Sequence, residues 1–392
     1  MSQDRFTEVT SQSWLSRIGG AIKGILVGLM LFILAFPLLF WNEGRAVKTY
    51  KTLKEGGSIV VSVAADSVDP SNAGQLIHVT GRADTQATLT DPVFAVSANA
   101  LKLRRTVEMY QWKESSSSET TKKLGGGTET VTEYSYSREW SSRPINSESF
   151  KKPAGHRNPD SMPYASAEQV ADRITLDAFT LSPGLVNKID SFEPLVIASD
   201  TPLPKAIKKS GQVYDSGFYI GLDAANPQVG DIRVKFAMVK PVDVSVIAKQ
   251  IGNTFEPYIA KARGSIELLQ VGIHSADAMI QAAQDSNTML TWLLRLGGFI
   301  CMMMGLNLFL RPLSVIADVV PIAGTVVGAG AGIIAFLVAA PITLITIGIA
   351  WIFYRPLIGI VLIVIAVGFT LALKGKLKSA KSAKLAKATA AV

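Results

Sequence analysis

The run Gly24–Trp41, GILVGLMLFILAFPLLFW, holds 18 residues without a charge and passes straight into Asn42-Glu43-Gly44-Arg45-Ala46. About 20 apolar residues cross a bilayer as a helix, and Lys23 can lengthen this run by reaching back to the interface. A cleaved signal peptide is the competing reading, because Arg5, Arg17 and Lys23 precede the run. The run is long for the apolar part of such a peptide, no small-x-small cleavage site follows, and Pro37 and Trp41 suit a helix that stays. We therefore read an uncleaved anchor over residues 24–41, after an N-terminal segment of residues 1–23, with Trp41 at the interface. Asn42 and Gly44 are placed to end the helix where water returns. Glu43 raises the question of a catalytic carboxylate; the plainer reading makes Glu43 and Arg45 boundary residues that pair with neighbours.

More apolar segments follow far downstream. Residues 292–311 make a second span, with Trp292 and Arg295 at one edge and Arg311 at the other, and Ser275 is placed to cap the helix leading in. No charge occurs over residues 319–354, 36 positions interrupted by Pro321 and Pro341. That length fits one span with an interfacial or re-entrant start, or two short spans. After Arg355-Pro356, residues 357–373 form the last span, followed by a tail over residues 374–392. Lys374, Lys376, Lys378, Lys381, Lys384 and Lys387 give that tail +6 of the chain's formal +8. A lysine tail behind an apolar run reads as a cytoplasmic flank, not as a nucleic-acid surface. Four spans place the large segment over residues 42–291 outside the cytoplasm, and five place it inside. Charge near the first span is balanced and leaves both open.

Gly20, Gly24 and Gly28 recur every fourth residue, as do Gly324, Gly328 and Gly332. Such spacing lets another helix approach closely, from a second copy or from the same chain. Trp41, Glu43, Arg45, Trp292, Arg295 and Arg355 mark the membrane-domain junction.

Residues 42–291 are soluble in character and long enough for a sizeable core. Short β-branched runs occupy residues 57–64 and 75–82. In Leu101–Trp112, Leu101, Leu103, Val107 and Met109 share one face, and Arg104, Thr106, Glu108, Tyr110 and Trp112 the other. A polar link with three glycines leads to an alternating stretch over residues 128–140, so a long β-hairpin is expected. Arg104, Glu108, Trp112, Arg138 and the loop residue His156 are its candidate surface, with cross-strand pairing as the plain alternative. Further strands are expected over residues 213–222, 231–239 and 242–250.

The search for chemistry returns little. His78, His156 and His274 lack metal-ligand spacing, and Cys301 is the only cysteine, which excludes disulfides and cysteine-ligated zinc within the chain. No GxSxG, Walker loop or dinucleotide fingerprint occurs. The spans contain few polar residues, Asn307 and Thr343 among them, whereas a pump or channel more often carries intramembrane charges. No catalytic, cofactor or metal residue is assigned.

"FWNEGRA", "KLRRTVEMYQW", "INSESF" followed by "GHRNP", "VGDIRVKF", "MMMGLNLFLRPL" and "WIFYRPL" together resemble the LUMA family, in the family's order and over nearly the whole chain. The resemblance implies four spans, cytoplasmic ends and a large luminal domain. It also implies residence in the endoplasmic reticulum and inner nuclear membrane for animal members, self-association, and binding of envelope proteins such as emerin and lamins. The family supplies no catalytic residues to carry over. Absent glycosylation sequons, one cysteine and an alanine-lysine tail suit a bacterium, where the domain is periplasmic in the inner membrane. The expected fold is integral membrane, α+β, with about four transmembrane helices and a β-rich extracytoplasmic domain between the first two. The expected function is a non-enzymatic scaffold whose partners are the bilayer, further copies and other membrane proteins, with no nucleic acid and no cofactor. A lipid-handling protein or membrane enzyme with a juxtamembrane site is the alternative, and a channel the weaker one.

Overall fold

A computed structural model describes residues 5–356; the expected last span and the lysine tail lie outside the described residues. Within them, residues 5–11, 52–121 and 129–283 form a β-rich unit, and residues 12–51, 122–128 and 284–356 form a helical unit.

The β-rich unit is built on the expected hairpin, Lys102–Lys122 with Thr128–Ser141. Alternation along the first strand buries Leu103, Val107 and Met109, and it also turns Arg105 and Gln111 inward. Six strands pair in the order Arg5–Gln12, Thr128–Ser141, Lys102–Lys122, Ile232–Val239, Gly217–Ile220 and Gly211–Tyr214. Glu193–Leu195 and Ala167–Val170 add to this sheet off the main path. Phe94, Phe218 and Phe236 pack beneath it with Val107, Met109 and Val234. The single strand expected over residues 213–222 is a tight hairpin. Its turn holds Asp215 and Ser216 at φ 49° and 62°, the double left-handed conformation of two-residue hairpin loops.

A second, seven-stranded sheet centres on Leu76–Asp84 paired antiparallel with Val242–Ile251, Val79 facing Val246. Its core holds Ile77, Val79, Leu101, Phe179, Val244 and Phe255. A short helix, α2 (Pro183–Val186), is capped by Ser182 Oγ on the Leu185 amide.

Helix α1 (Trp14–Ile59) runs past the points where Asn42 and Gly44 were expected to end it. Its residues Ala46–Glu55 include good helix formers, and Leu53 is buried with Leu76, Ile247, Ile266, Met279 and Ile280. Tertiary burial of Leu53 therefore keeps the helix going through residues 57–59, which the sequence suggested as strand; only Val61–Val63 is extended. Gly56 permits this packing, because a Cβ there would meet Ile266 Cδ1 at 2.3 Å. Ser275 does cap the next long helix, α3 (Ala276–Ala317), accepting from the Ala278 amide at 3.3 Å.

His78 lies inside the second sheet, with Nδ1 3.1 Å from Ser62 Oγ and Nε2 2.9 Å from the His274 carbonyl. Burial lowers its pKa below the ordinary 6.5, partly opposed by that carbonyl. The unfolded chain then takes up a proton near 6.5 that the folded ring refuses, so stability declines as pH falls below 6.5 and levels off beneath the folded pKa. Denaturation midpoints between pH 7 and 5 should fall less steeply in His78→Gln than in the parent; equal slopes would remove His78 as the cause.

In the helical unit, α1, α3 and α4 (Pro321–Tyr354) are each long and apolar enough to cross a membrane. The stretch open to a re-entrant start or two short spans is one helix, continuous through Pro341. Ala35, Leu39, Met302, Ala339 and Ile347 form its buried core. Gly28 and Gly305 let α1 and α3 cross closely: a Cβ on either would stand 2.7 Å from the other's carbonyl oxygen.

Candidate functional site

The sequence after the first apolar run converges with two distant segments into one buried polar cluster. Glu43 is fully buried on α1. Arg295 on α3 donates to it through Nε at 2.6 Å and Nη2 at 2.9 Å, and Trp351 on α4 adds its indole N–H at 2.7 Å. Arg295 also lies over the Trp292 ring at 4.7 Å and the Trp351 ring at 5.6 Å. Two turns of polar side chains continue the cluster. Arg45 reaches Asn287 Oδ1 at 2.9 Å, Thr291 Oγ1 at 2.9 Å and Asn42 Oδ1 at 3.2 Å. Asn42 donates to the Thr291 carbonyl and Asn287 to the Ala46 carbonyl. Gly44 leaves room for the end of α4, since a Cβ would stand 2.6 Å from the Tyr354 ring.

Both oxygens of Glu43 are thus engaged by donors away from water. Such a carboxylate fastens three helices; it offers no solvent-facing oxygen for acid-base work. Bidentate geometry and cation-π contacts offset the cost of burying the pair. Of the junction residues predicted from sequence, Glu43, Arg45 and Arg295 come together here. Arg355 stands over Trp351 at 5.9 Å. Trp41 and Trp292 are exposed on the helix surface, as membrane-facing aromatics would be. Asn287, Thr291 and Trp351 were missed. Asn287, Thr291 and Arg295 recur every fourth residue, and that polar stripe, running into the apolar part of the helix, was the available signal.

A second polar cluster sits at the other end of the same bundle. Asp318, buried between α3 and α4, is bonded by Arg17 from the start of α1 and by Lys122 Nζ at 2.6 Å from the hairpin tip. Burial pushes the Asp318 carboxyl up, but its bonds to Lys122 and Arg17 outweigh that and hold it below 3.8. Arg17 also donates to the Gly126 carbonyl, Gly125 N–H to the Val319 carbonyl at 3.1 Å, and Trp14 Nε1 to the Val315 carbonyl at 2.9 Å. Gly126 is required twice over, by its φ of 81° and by the Trp14 ring lying where a Cβ would project.

The glycine series divide. Gly28 serves the α1–α3 crossing, Gly324 packs on Asp318, and Gly328 lies 3.6 Å from Ser314 Cβ, counted from its would-be Cβ. Among the described residues, Gly20, Gly24 and Gly332 meet nothing within 4 Å.

On the β-rich unit the candidate surface resolves into structural pairs. Glu108 is bonded by Arg233 directly across the sheet, and Arg104 pairs with Glu168 at 2.8 Å while stacking over Phe192. Arg138 lies over Trp112 at 5.2 Å. His156 is fully buried, stacked on Tyr136 at 3.9 Å and edge-on to Trp112 at 4.7 Å, its Nδ1 on the Lys152 carbonyl. Arg104 and His156 therefore occupy separate settings. Among the described residues, no group of three His, Cys, Asp or Glu is arranged to hold a metal ion.

Three long apolar helices with a large β-rich unit define a membrane protein of mixed α and β architecture. The chain belongs to the Transmembrane protein 43 family, also called LUMA, whose model matches residues 109–356. It is 40% identical over 372 residues to Transmembrane protein 43 of Mus musculus, covering 91% of each chain. The Homo sapiens protein is 39% identical over 356 residues, covering 88% of each, and the Drosophila melanogaster homolog 29% over 345 residues, covering 85% of this chain and 89% of its own. No solved structure matches.

Proposed function

We propose that the chain is a non-enzymatic membrane scaffold that self-associates through its helices and presents the β-rich unit outside the cytoplasm. In a eukaryote this unit faces the lumen of the endoplasmic reticulum or nuclear envelope, and in a bacterium the periplasm. The observation that supports this reading most directly is the use made of the signature residues. "FWNEGRA" and "WIFYRPL" meet where Glu43 takes hydrogen bonds from Trp351 and from Arg295 of the intervening helix, so that these side chains fasten helices. Gly20, Gly24 and Gly332 leave open helix faces suited to a second copy, and other membrane proteins are the further partners this reading assigns.

Gly24→Leu and Gly332→Leu should lower the oligomer fraction in mild detergent, while thermal stability of the protomer stays near the parent's. Gly28→Leu should instead lower protomer stability by about 1–3 kcal/mol, because its neighbours are backbone atoms of α3. Unchanged size distributions for both Gly24→Leu and Gly332→Leu would remove these faces as the interface.

A further inference from the structure

We infer that the end of the helical bundle where α1 begins and α3 stops holds the headgroup of an anionic phospholipid. The two helices run antiparallel, since Trp14 meets Val315, Gly28 meets Gly305, Leu39 meets Gly298 and Glu43 meets Arg295 in turn. From the Gly28–Gly305 crossing, Lys23 stands five residues back along α1 and Arg311 six residues on along α3, about 8 and 9 Å at 1.5 Å per residue. Both therefore reach the same level, where the uncharged runs of the two helices end. There they line one cavity of about 550 Å³ together with Ser16, Arg17 and Gly19. That volume lies within the range of clefts that hold small ligands.

Charge selects an anion. Among the described residues Lys23 and Arg311 have no carboxylate partner, and both are exposed. Arg17 is paired with Asp318, but that carboxylate is shared with Lys122, so cations outnumber the acid here. Ser16 adds a hydroxyl and Arg311 a planar fork of donors, groups suited to phosphate oxygens. The space over Gly19 is open among the described residues, since a Cβ there would meet nothing within 4 Å. Position selects a lipid over a soluble phosphate compound. Leu26 and Val27 share the Lys23 face one turn further into the uncharged run, and they are 72% and 49% exposed. An acyl chain descending from a headgroup at Lys23 covers them, and a free phosphate compound leaves them bare. Basic pockets between membrane helices take anionic headgroups by this combination of charge and depth. The inference stands whether or not the chain self-associates.

The test follows lipid binding to the full chain in mild detergent by native mass spectrometry, with phosphatidylglycerol and phosphatidylcholine of the same acyl chains as probes. Phosphatidylglycerol should bind about 30-fold tighter than phosphatidylcholine, and Lys23→Gln and Arg311→Gln should each weaken it about fivefold. The double variant Lys23→Gln/Arg311→Gln should bind the two lipids alike. Arg311→Lys, which keeps the charge, should retain most of the binding. Unfolding midpoints in lipid-free detergent should stay at the parent's value, because neither side chain has an ion pair to lose. Lys376→Gln/Lys378→Gln, a charge-matched change in the tail, should leave binding unchanged. Equal affinity of the parent for both lipids overturns the inference, as does a loss in the tail variant equal to that in Lys23→Gln/Arg311→Gln. Glycerol 3-phosphate bound as tightly as phosphatidylglycerol overturns the lipid in favour of a soluble phosphate compound.

Discussion

Glu43→Leu should lower the stability of the detergent-solubilised protein by about 3–5 kcal/mol, the usual cost of stripping one partner from a buried ion pair. Arg295, 13% exposed, keeps its charge and loses both its hydrogen bonds to the carboxylate. Trp351 loses its acceptor as well. The double variant Glu43→Leu/Arg295→Met removes both charges and should recover most of the loss, because apolar residues of similar volume replace buried pairs at small cost. Unfolding midpoints of the parent, both singles and the double form the measurement. A single variant as stable as the parent would show that the cluster does not fasten the helices. A double variant no better than the singles would assign the loss to packing instead of charge.

Asp91→Ala should cost a similar 3–5 kcal/mol, for the same physical reason in a different setting. Arg105 donates Nη1 to both Asp91 oxygens, at 2.7 and 2.6 Å, with side-chain exposures of 7% and 4%. Asp91 also accepts the amides of Val93 and Phe94, so its loss frees buried donors besides the guanidinium. Its neighbour supplies the control. Arg104 points to the opposite face and pairs with Glu168 at the surface, where Arg104→Ala should cost no more than about 1 kcal/mol. Denaturant unfolding of the full chain distinguishes them. Equal losses for Asp91→Ala and Arg104→Ala would mean that burial does not separate the two pairs.

Adjacent arginines with such different fates show how far the sequence could be read. Period-two alternation was plain in Leu101, Leu103, Val107 and Met109, and the same alternation placed Arg105 inward. Its partner Asp91 lies 14 residues upstream, with no pattern to announce it. The spans were legible for a similar reason: hydrocarbon demands long uncharged runs, so length and charge alone mark them. Helix ends were less so. Asn42 and Gly44 carry ordinary stop signals, yet α1 continues because burial of Leu53 outweighs local preference.

The amino-acid sequence by itself determined that this is a membrane protein, which stretches are apolar enough to cross, that a long polar hairpin stands between them, and to which family the chain belongs. The first three follow from composition and periodicity, which are local properties; the family follows from the motifs and the relatives that share them. Only the tertiary structure decided that Glu43, Arg295 and Trp351 share one fastening, that Gly28 meets Gly305, and that Arg17 and Lys122 close on Asp318. Those pairs lie between 196 and 308 positions apart in the chain. A buried charge must find its partner wherever folding brings one, and sequence distance carries no record of that choice.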